Sequence, residues 1–266
     1  MALTVADFLK MKTEHTKFSM LTTYDATFAH LVEMAGVHMI LVGDSLGHTM
    51  QGRNTTVGVS LDDVIYHSQC VMRGCTRPFV VCDMPFGSYQ VNDDEGMRSA
   101  IRIMRESGVH AVKLEGGARC VPLVSRLVSA GIPVVAHIGL TPQSVHTLSG
   151  YRVQGKNDAQ AEEIYQDALA LEDAGAFAIV LECVPRGLAK RVTDALKKAC
   201  TIGIGAGPDC DAQVLVLQDA LGMGDGKKAK FVRPFANVGE IVVNALSEYV
   251  TAVRDGAYPS DAESYH

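Results

Sequence analysis

Short apolar runs alternate with longer amphipathic stretches along this chain, and the same punctuation recurs between them. A small residue and a turn glycine precede an apolar run that ends on a polar group. Ala35-Gly36-Val37-His38-Met39-Ile40-Leu41-Val42-Gly43-Asp44 has this form, as does Ser107-Gly108-Val109-His110-Ala111-Val112-Lys113-Leu114-Glu115. It returns in Ala130-Gly131-Ile132-Pro133-Val134-Val135-Ala136-His137 and in Ala174-Gly175-Ala176-Phe177-Ala178-Ile179-Val180-Leu181-Glu182. Arg77-Pro78-Phe79-Val80-Val81-Cys82-Asp83 ends the same way without the glycine. Strands buried on both faces read as continuous apolar runs. The pattern predicts strands at Ser19–Tyr24, Met39–Val42, Phe79–Cys82, Ala111–Leu114, Val134–His137, Ala178–Leu181 and Thr201–Gly205, with an eighth near Leu221.

Helices fill the intervals. Ser60, with Asp63 three residues on, starts a helix over Leu61–Arg73 like a capping box, and Gly74 follows. Asp158 precedes a helix over Ala159–Ala174, Val238–Arg254 forms a last long one, and Val5–Thr13 forms an extra helix suited to cap the bottom of a barrel. Regular strand–helix alternation with short connections implies a parallel sheet. Eight such units in 266 residues predict one closed (β/α)8 TIM barrel spanning residues 1–266, because barrels of this kind run to roughly 250 residues. The irregular stretch Leu148–Asn157, with Gly150, Tyr151 and Gly155, reads equally as an ordered functional loop and as a surface connection.

Composition narrows the function classes. A net charge of -6 argues against nucleic acid or an acidic membrane surface as partner. Every apolar run is strand-length, so no membrane span is expected, and Met1–Lys17 lacks the apolar stretch of a signal peptide. Seven scattered cysteines without a C-x-x-C pair suit reduced thiols in a cytoplasm better than a disulfide framework or a zinc site.

In a parallel barrel the strand ends meet on one face, and chemistry sits there. Asp44 with Ser45, Asp83 and Glu115 end the second, third and fourth strands. Each carboxylate alone could simply cap the following helix. Three at matched depth would repel one another, which makes a hard divalent cation the natural occupant, and oxygen-only ligation favours Mg2+. Lys113, two residues before Glu115, points to the same side of its strand and needs an anionic partner there, from the protein or from a substrate. Glu182 ends the sixth strand among apolar neighbours, a setting that raises a carboxylate's proton affinity and suits a base; it could also cap a helix. His137 falls at the same depth with its role open. Gly203-Ile204-Gly205-Ala206-Gly207 reads equally as a turn and as a close approach of backbone to an anion.

Together these residues resemble the ketopantoate hydroxymethyltransferase family. The likeness is carried by Thr23-Tyr24-Asp25, Leu41-Val42-Gly43-Asp44-Ser45-Leu46-Gly47, Asp83-Met84-Pro85-Phe86 and Val112-Lys113-Leu114-Glu115-Gly116-Gly117. It continues through His137-Ile138-Gly139-Leu140-Thr141-Pro142-Gln143-Ser144-Val145, Gly150-Tyr151-Arg152-Val153-Gln154-Gly155 and Val180-Leu181-Glu182-Cys183-Val184-Pro185. The resemblance implies a barrel of the phosphoenolpyruvate mutase/isocitrate lyase-like type. It implies Mg2+, or another divalent cation, at Asp44, Asp83 and Glu115, an oxoacid site at Asp44, Ser45, Asp83 and Lys113, and Glu182 as proton acceptor. It further implies transfer of a hydroxymethyl group from 5,10-methylenetetrahydrofolate to 3-methyl-2-oxobutanoate through a Mg-stabilised enolate, in pantothenate biosynthesis, by a cytoplasmic homo-oligomer, typically a decamer. The competing expectation is a Mg2+-dependent oxoacid C–C lyase on the same barrel. Such lyases tend to carry a Lys-x-Cys-Gly-type motif, which Arg73-Gly74-Cys75 does not match.

Overall fold

The computed structural model describes residues 2–147, 150–224 and 229–266. They form two compact units, Met1–Val216 and Leu217–His266. The first is the predicted barrel. Helix α1 (Val5–Thr13) leads into β1 (Phe18–Thr22), α2 (Ala26–Met34), β2 (Met39–Val42), a single turn α3 (Leu46–Thr49), α4 (Leu61–Gly74) and β3 (Phe79–Asp83). Then come α5 (Asp93–Ser107), β4 (Ala111–Glu115), α6 (Val121–Ser129), β5 (Val134–Gly139), α7 (Asp158–Asp173), β6 (Ala178–Glu182), α8 (Arg186–Ala195), β7 (Cys200–Ile204) and β8 (Ala212–Leu215). The strands pair in sequence order, all parallel, and β8 closes on β1.

Local chemistry explains where the helices begin and end. Ser60 accepts a hydrogen bond from the Asp63 backbone N–H, and the Asp63 carboxylate accepts one from the Ser60 N–H, so two helix-start donors of α4 are satisfied reciprocally. Asn92 and Asn157 cap α5 and α7, and Gly108 ends α5 in the left-handed conformation that glycine adopts at little cost. The structure therefore puts the α7 cap one residue earlier than the sequence suggests, on Asn157.

The bottom of the barrel is plugged as expected. Phe8 of α1 is fully buried against the rings of Phe18, Phe79 and Phe177, with centroids 4.9, 5.5 and 6.4 Å away. Burying one such ring contributes roughly 1.5–3 kcal/mol, so this short helix is held by packing more than by its own propensity. Lys12 of α1 adds an ion pair to Asp211 at 2.9 Å.

The eighth strand departs from expectation. It is Ala212–Leu215, while Leu217–Leu221 forms a short helix, α9, of the second unit. Gln213 is exposed and breaks the apolar run, so the real strand lacks the continuous pattern of the others. The second unit also holds α10 (Val238–Arg254), as predicted. Among the described residues no helix is long and apolar enough to cross a membrane.

Candidate active site

Strand parity and register deliver a line of ionisable groups to the top of the barrel. Lys113 and Glu115 lie two residues apart on β4 and share its inner face. Asp83 pairs in register with Lys113, Glu115 with His137, and Gly139 with Glu182. Because neighbouring strands are staggered, these groups climb the wall from Asp83 to Glu182. The contacts follow that climb. The Lys113 ammonium donates to Asp83 Oδ1 and lies 3.8 Å from Glu115 Oε1. His137 Nδ1 is 3.3 Å from Glu115 Oε1, and His137 Nε2 is 3.3 Å from Glu182 Oε2. Neither ring nitrogen makes an aligned hydrogen bond, so both are close charge contacts.

Asp44 joins the group from β2 through its backbone N–H, which donates to Asp83 Oδ2 at 3.1 Å. Ser45 turns its hydroxyl to the buried Tyr24 phenol at 2.8 Å. Lys113, Asp83, Glu115 and His137 are all essentially buried, whereas the Glu182 side chain keeps 15% of its surface exposed. The cluster therefore opens to solvent on the Glu182 side.

Burial and mutual repulsion shape the protonation states. Burial first, then the charges of Asp83 and Glu115, push the Asp44 carboxyl up to about 8. Burial alone would push the Lys113 ammonium down, but Asp83, Glu115 and Asp44 outweigh it and hold the charge. Burial and Lys113 likewise oppose a charged His137, yet Glu115 and Glu182 bring its imidazole up to about 9. Glu115 is pulled below its ordinary range despite burial, chiefly by His137. Three acidic groups thus face one ammonium and one imidazolium, and Asp44 is the one that burial and its charged neighbours drive to keep a proton.

All the predicted site residues reach one face, but not as a finished metal cage. Among the described residues no three His, Cys, Asp or Glu side chains already close on one point as ligands; the Lys113 ammonium lies between Asp83 and Glu115 instead. Gly203 and Ile204 of the glycine run lie in β7, and Gly205 and Gly207 just beyond it adopt positive φ. Three neighbours escaped the reading of the sequence: Tyr24 under Ser45, and Gln143 and Tyr89 beside Asp44 and Glu115. Gln143 stands in the Thr141-Pro142-Gln143-Ser144 run that the resemblance singled out, which is the signal that could have found it. Gly139 must be glycine, since a Cβ there would lie 2.4 Å from the Glu182 carbonyl oxygen and its φ is +89°.

The family model for ketopantoate hydroxymethyltransferase matches residues 2–261 of this chain. The chain belongs to that family. A curated relative from Aromatoleum aromaticum, a 3-methyl-2-oxobutanoate hydroxymethyltransferase, is 53% identical over an alignment covering 98% of this chain and 96% of the relative. Among solved structures, 2,3-dimethylmalate lyase, a member of the PEP mutase/isocitrate lyase superfamily, aligns with a TM-score of 0.60 at 18% identity, covering 100% of this chain and 92% of that one. Phosphonopyruvate hydrolase in complex with oxalate and Mg2+ aligns with a TM-score of 0.62 at 13% identity, covering 99% and 92%. These solved structures share the barrel fold with this chain, and membership of the ketopantoate hydroxymethyltransferase family makes the chain a one-carbon transferase. The opened cluster at its barrel mouth is the candidate active site of that transferase.

Proposed function

We propose that the enzyme transfers a hydroxymethyl group from 5,10-methylenetetrahydrofolate to carbon 3 of 3-methyl-2-oxobutanoate, giving 2-dehydropantoate and tetrahydrofolate, the first committed step of pantothenate biosynthesis. The observation that carries this reading is the unbroken line of contacts from Asp83 through Lys113, Glu115 and His137 to Glu182. It joins a buried, charge-rich end suited to an oxoacid with a carboxylate that remains open to the reacting carbon.

A hard divalent cation, Mg2+ by preference, fits the donor set of Asp44, Asp83 and Glu115, because these are oxygen donors and a cation would relieve the repulsion that otherwise keeps Asp44 protonated. When bound, the cation supplies Lewis-acid polarisation of the oxoacid's keto group, which acidifies the carbon 3 proton. Lys113 offers its ammonium, and Ser45 its hydroxyl, to the oxoacid carboxylate; Tyr24 fixes the direction of that hydroxyl. Glu182 takes the carbon 3 proton, and His137 holds it in place. The carbon–carbon bond then forms at the donor's methylene carbon, both of that carbon's bonds to the folate nitrogens break, water supplies the new hydroxyl, and the carbon 3 proton and one water proton end on the two nitrogens of tetrahydrofolate.

The decisive test is proton NMR of 3-methyl-2-oxobutanoate in D2O with enzyme. Loss of the carbon 3 proton signal only when Mg2+ is present, followed by 2-dehydropantoate signals once the folate is added, is the expected result. Absence of exchange from a metal-saturated enzyme would remove the reading.

The shifted groups also fix a pH dependence. A carboxyl raised from 3.8 to about 8 binds its proton more tightly folded than unfolded, so Asp44 makes the metal-free protein less stable as pH climbs across that window. His137, raised from 6.5 to about 9, contributes stability that is full below the lower value and lost as pH passes the higher one. Both signs agree. The melting temperature in EDTA should fall steadily from pH 6 to pH 9, and Mg2+ should bind more tightly as pH rises toward 8, releasing the Asp44 proton. Calorimetric titrations in two buffers of different ionisation enthalpy would detect that proton; an affinity independent of pH would refute the assignment.

A further inference from the structure

We infer that Gln143 is a positioning residue for the carboxylate cluster: it fixes the rotamers of Asp44 and Glu115, and so pre-forms the cation site. The inference rests on the divalent-cation reading of that cluster. Gln143 is buried in the short helical turn Pro142–Ser144 after β5. A glutamine amide has two donor hydrogens and an oxygen that accepts twice, and here every one is used. Nε2 donates to Asp44 Oδ2 at 3.1 Å and to the Met84 carbonyl at 3.0 Å. Oε1 accepts from the Tyr89 hydroxyl at 2.8 Å and from Gln90 Nε2 at 3.1 Å. The orientation is unambiguous, since the Met84 carbonyl can only accept. The backbone N–H of the same residue donates to Glu115 Oε2 at 3.0 Å.

One residue thus grips two carboxylates from two strands. The grip on Asp44 matters most. Among the described residues the hydrogen bond from Gln143 is the only one to the Asp44 carboxylate, and no cationic side chain pairs with it. Asp83 is held by Lys113 and by the Asp44 N–H, and Glu115 by Lys113, His137 and the Gln143 N–H. Without the Gln143 amide, Asp44 would be free to turn away from its like-charged neighbours. With it, Oδ2 is committed and Oδ1 is left to face a ligand. Tyr89 is the second tier. Its hydroxyl holds the Gln143 oxygen and accepts from the Glu115 N–H at 3.0 Å, so the Gln143 amide and the Glu115 backbone lean on one phenol. Partners of this kind, one step behind the ligands, typically govern metal affinity by 10–100-fold.

Packing alone makes a different prediction. Methionine matches glutamine in length and volume but donates nothing, so Gln143→Met keeps the core filled while releasing Asp44. The full-length protein would be titrated with Mn2+ and free ion followed by electron paramagnetic resonance, with circular dichroism as the check on folding. The expected result is a dissociation constant for Gln143→Met raised on the order of 10–100-fold over wild type, and a smaller rise for Tyr89→Phe, which removes only the hydroxyl behind the amide. A folded Gln143→Met protein whose Mn2+ affinity stays within about twofold of wild type would overturn the inference, that spread being far below the expected effect. Should that variant not fold, an unchanged affinity in Tyr89→Phe would overturn it equally. Failure of the wild type itself to bind Mn2+ would sink the cation reading, a separate and recognisable outcome.

Discussion

Glu182→Gln is expected to abolish turnover while leaving the site assembled. Proton abstraction by a positioned base contributes roughly 10²–10⁴-fold, and glutamine cannot accept the proton. Its amide retains the length of the carboxylate and can still approach His137 Nε2, now 3.3 Å from the Glu182 oxygen. Because the Glu182 side chain is partly exposed, the exchange costs little stability. The variant should therefore bind the divalent cation and 3-methyl-2-oxobutanoate as wild type does, yet lose the exchange of the carbon 3 proton in D2O along with product formation. Exchange at the wild-type rate would take Glu182 out of the role of base. Retained exchange with lost product would instead move its contribution to the carbon–carbon bond-forming step.

The second large effect is on stability as much as on chemistry. Lys113→Met should destabilise the metal-free protein by about 3–5 kcal/mol, the usual consequence of removing one partner from a buried ion pair. Asp83, Glu115 and Asp44 would then share one buried pocket with no ammonium among them. For a chain of this size such a loss lowers the melting temperature by about 10 °C. Two further consequences separate this account from ordinary core damage. Added Mg2+ should recover much of the lost stability, because it supplies positive charge to the same carboxylates, and lowering the pH should recover it too, because protonation neutralises them. A drop insensitive to both would mean that methionine fails there by packing. The oxoacid should bind the metal-loaded variant more weakly, since Lys113 is the cation offered to its carboxylate.

Much of the candidate site was legible in the chain because it depends on short-range rules. Alternation along a strand places Lys113 and Glu115 on one face, and an apolar run followed by a polar residue marks where each barrel strand ends. These rules locate Asp44, Asp83, Glu115, His137 and Glu182 without knowledge of their partners. The weakest element shows the limit of the same rules. β8 is four residues long with Gln213 exposed in the middle, and what defines it is pairing to β1 and β7, which brings Ala212 beside both Phe18 and Ile202. The segment Leu217–Leu221, near which the eighth strand is expected, folds as a short helix instead.

The sequence by itself determined the barrel, the family, and which acidic and basic side chains arrive at its mouth, since these follow from periodicity, turn chemistry and recurring motifs. Only the tertiary structure decided what those side chains do to one another. Gln143 and Asp44 are 99 residues apart in the chain, and Tyr89 stands 54 from Gln143. His137 looks like an isolated core histidine until strand stagger sets it 3.3 Å from both Glu115 and Glu182. The reason is physical: protonation states and rotamers are set by charges and hydrogen-bond partners within a few ångströms, and in a closed barrel those neighbours come from strands and loops far apart along the chain.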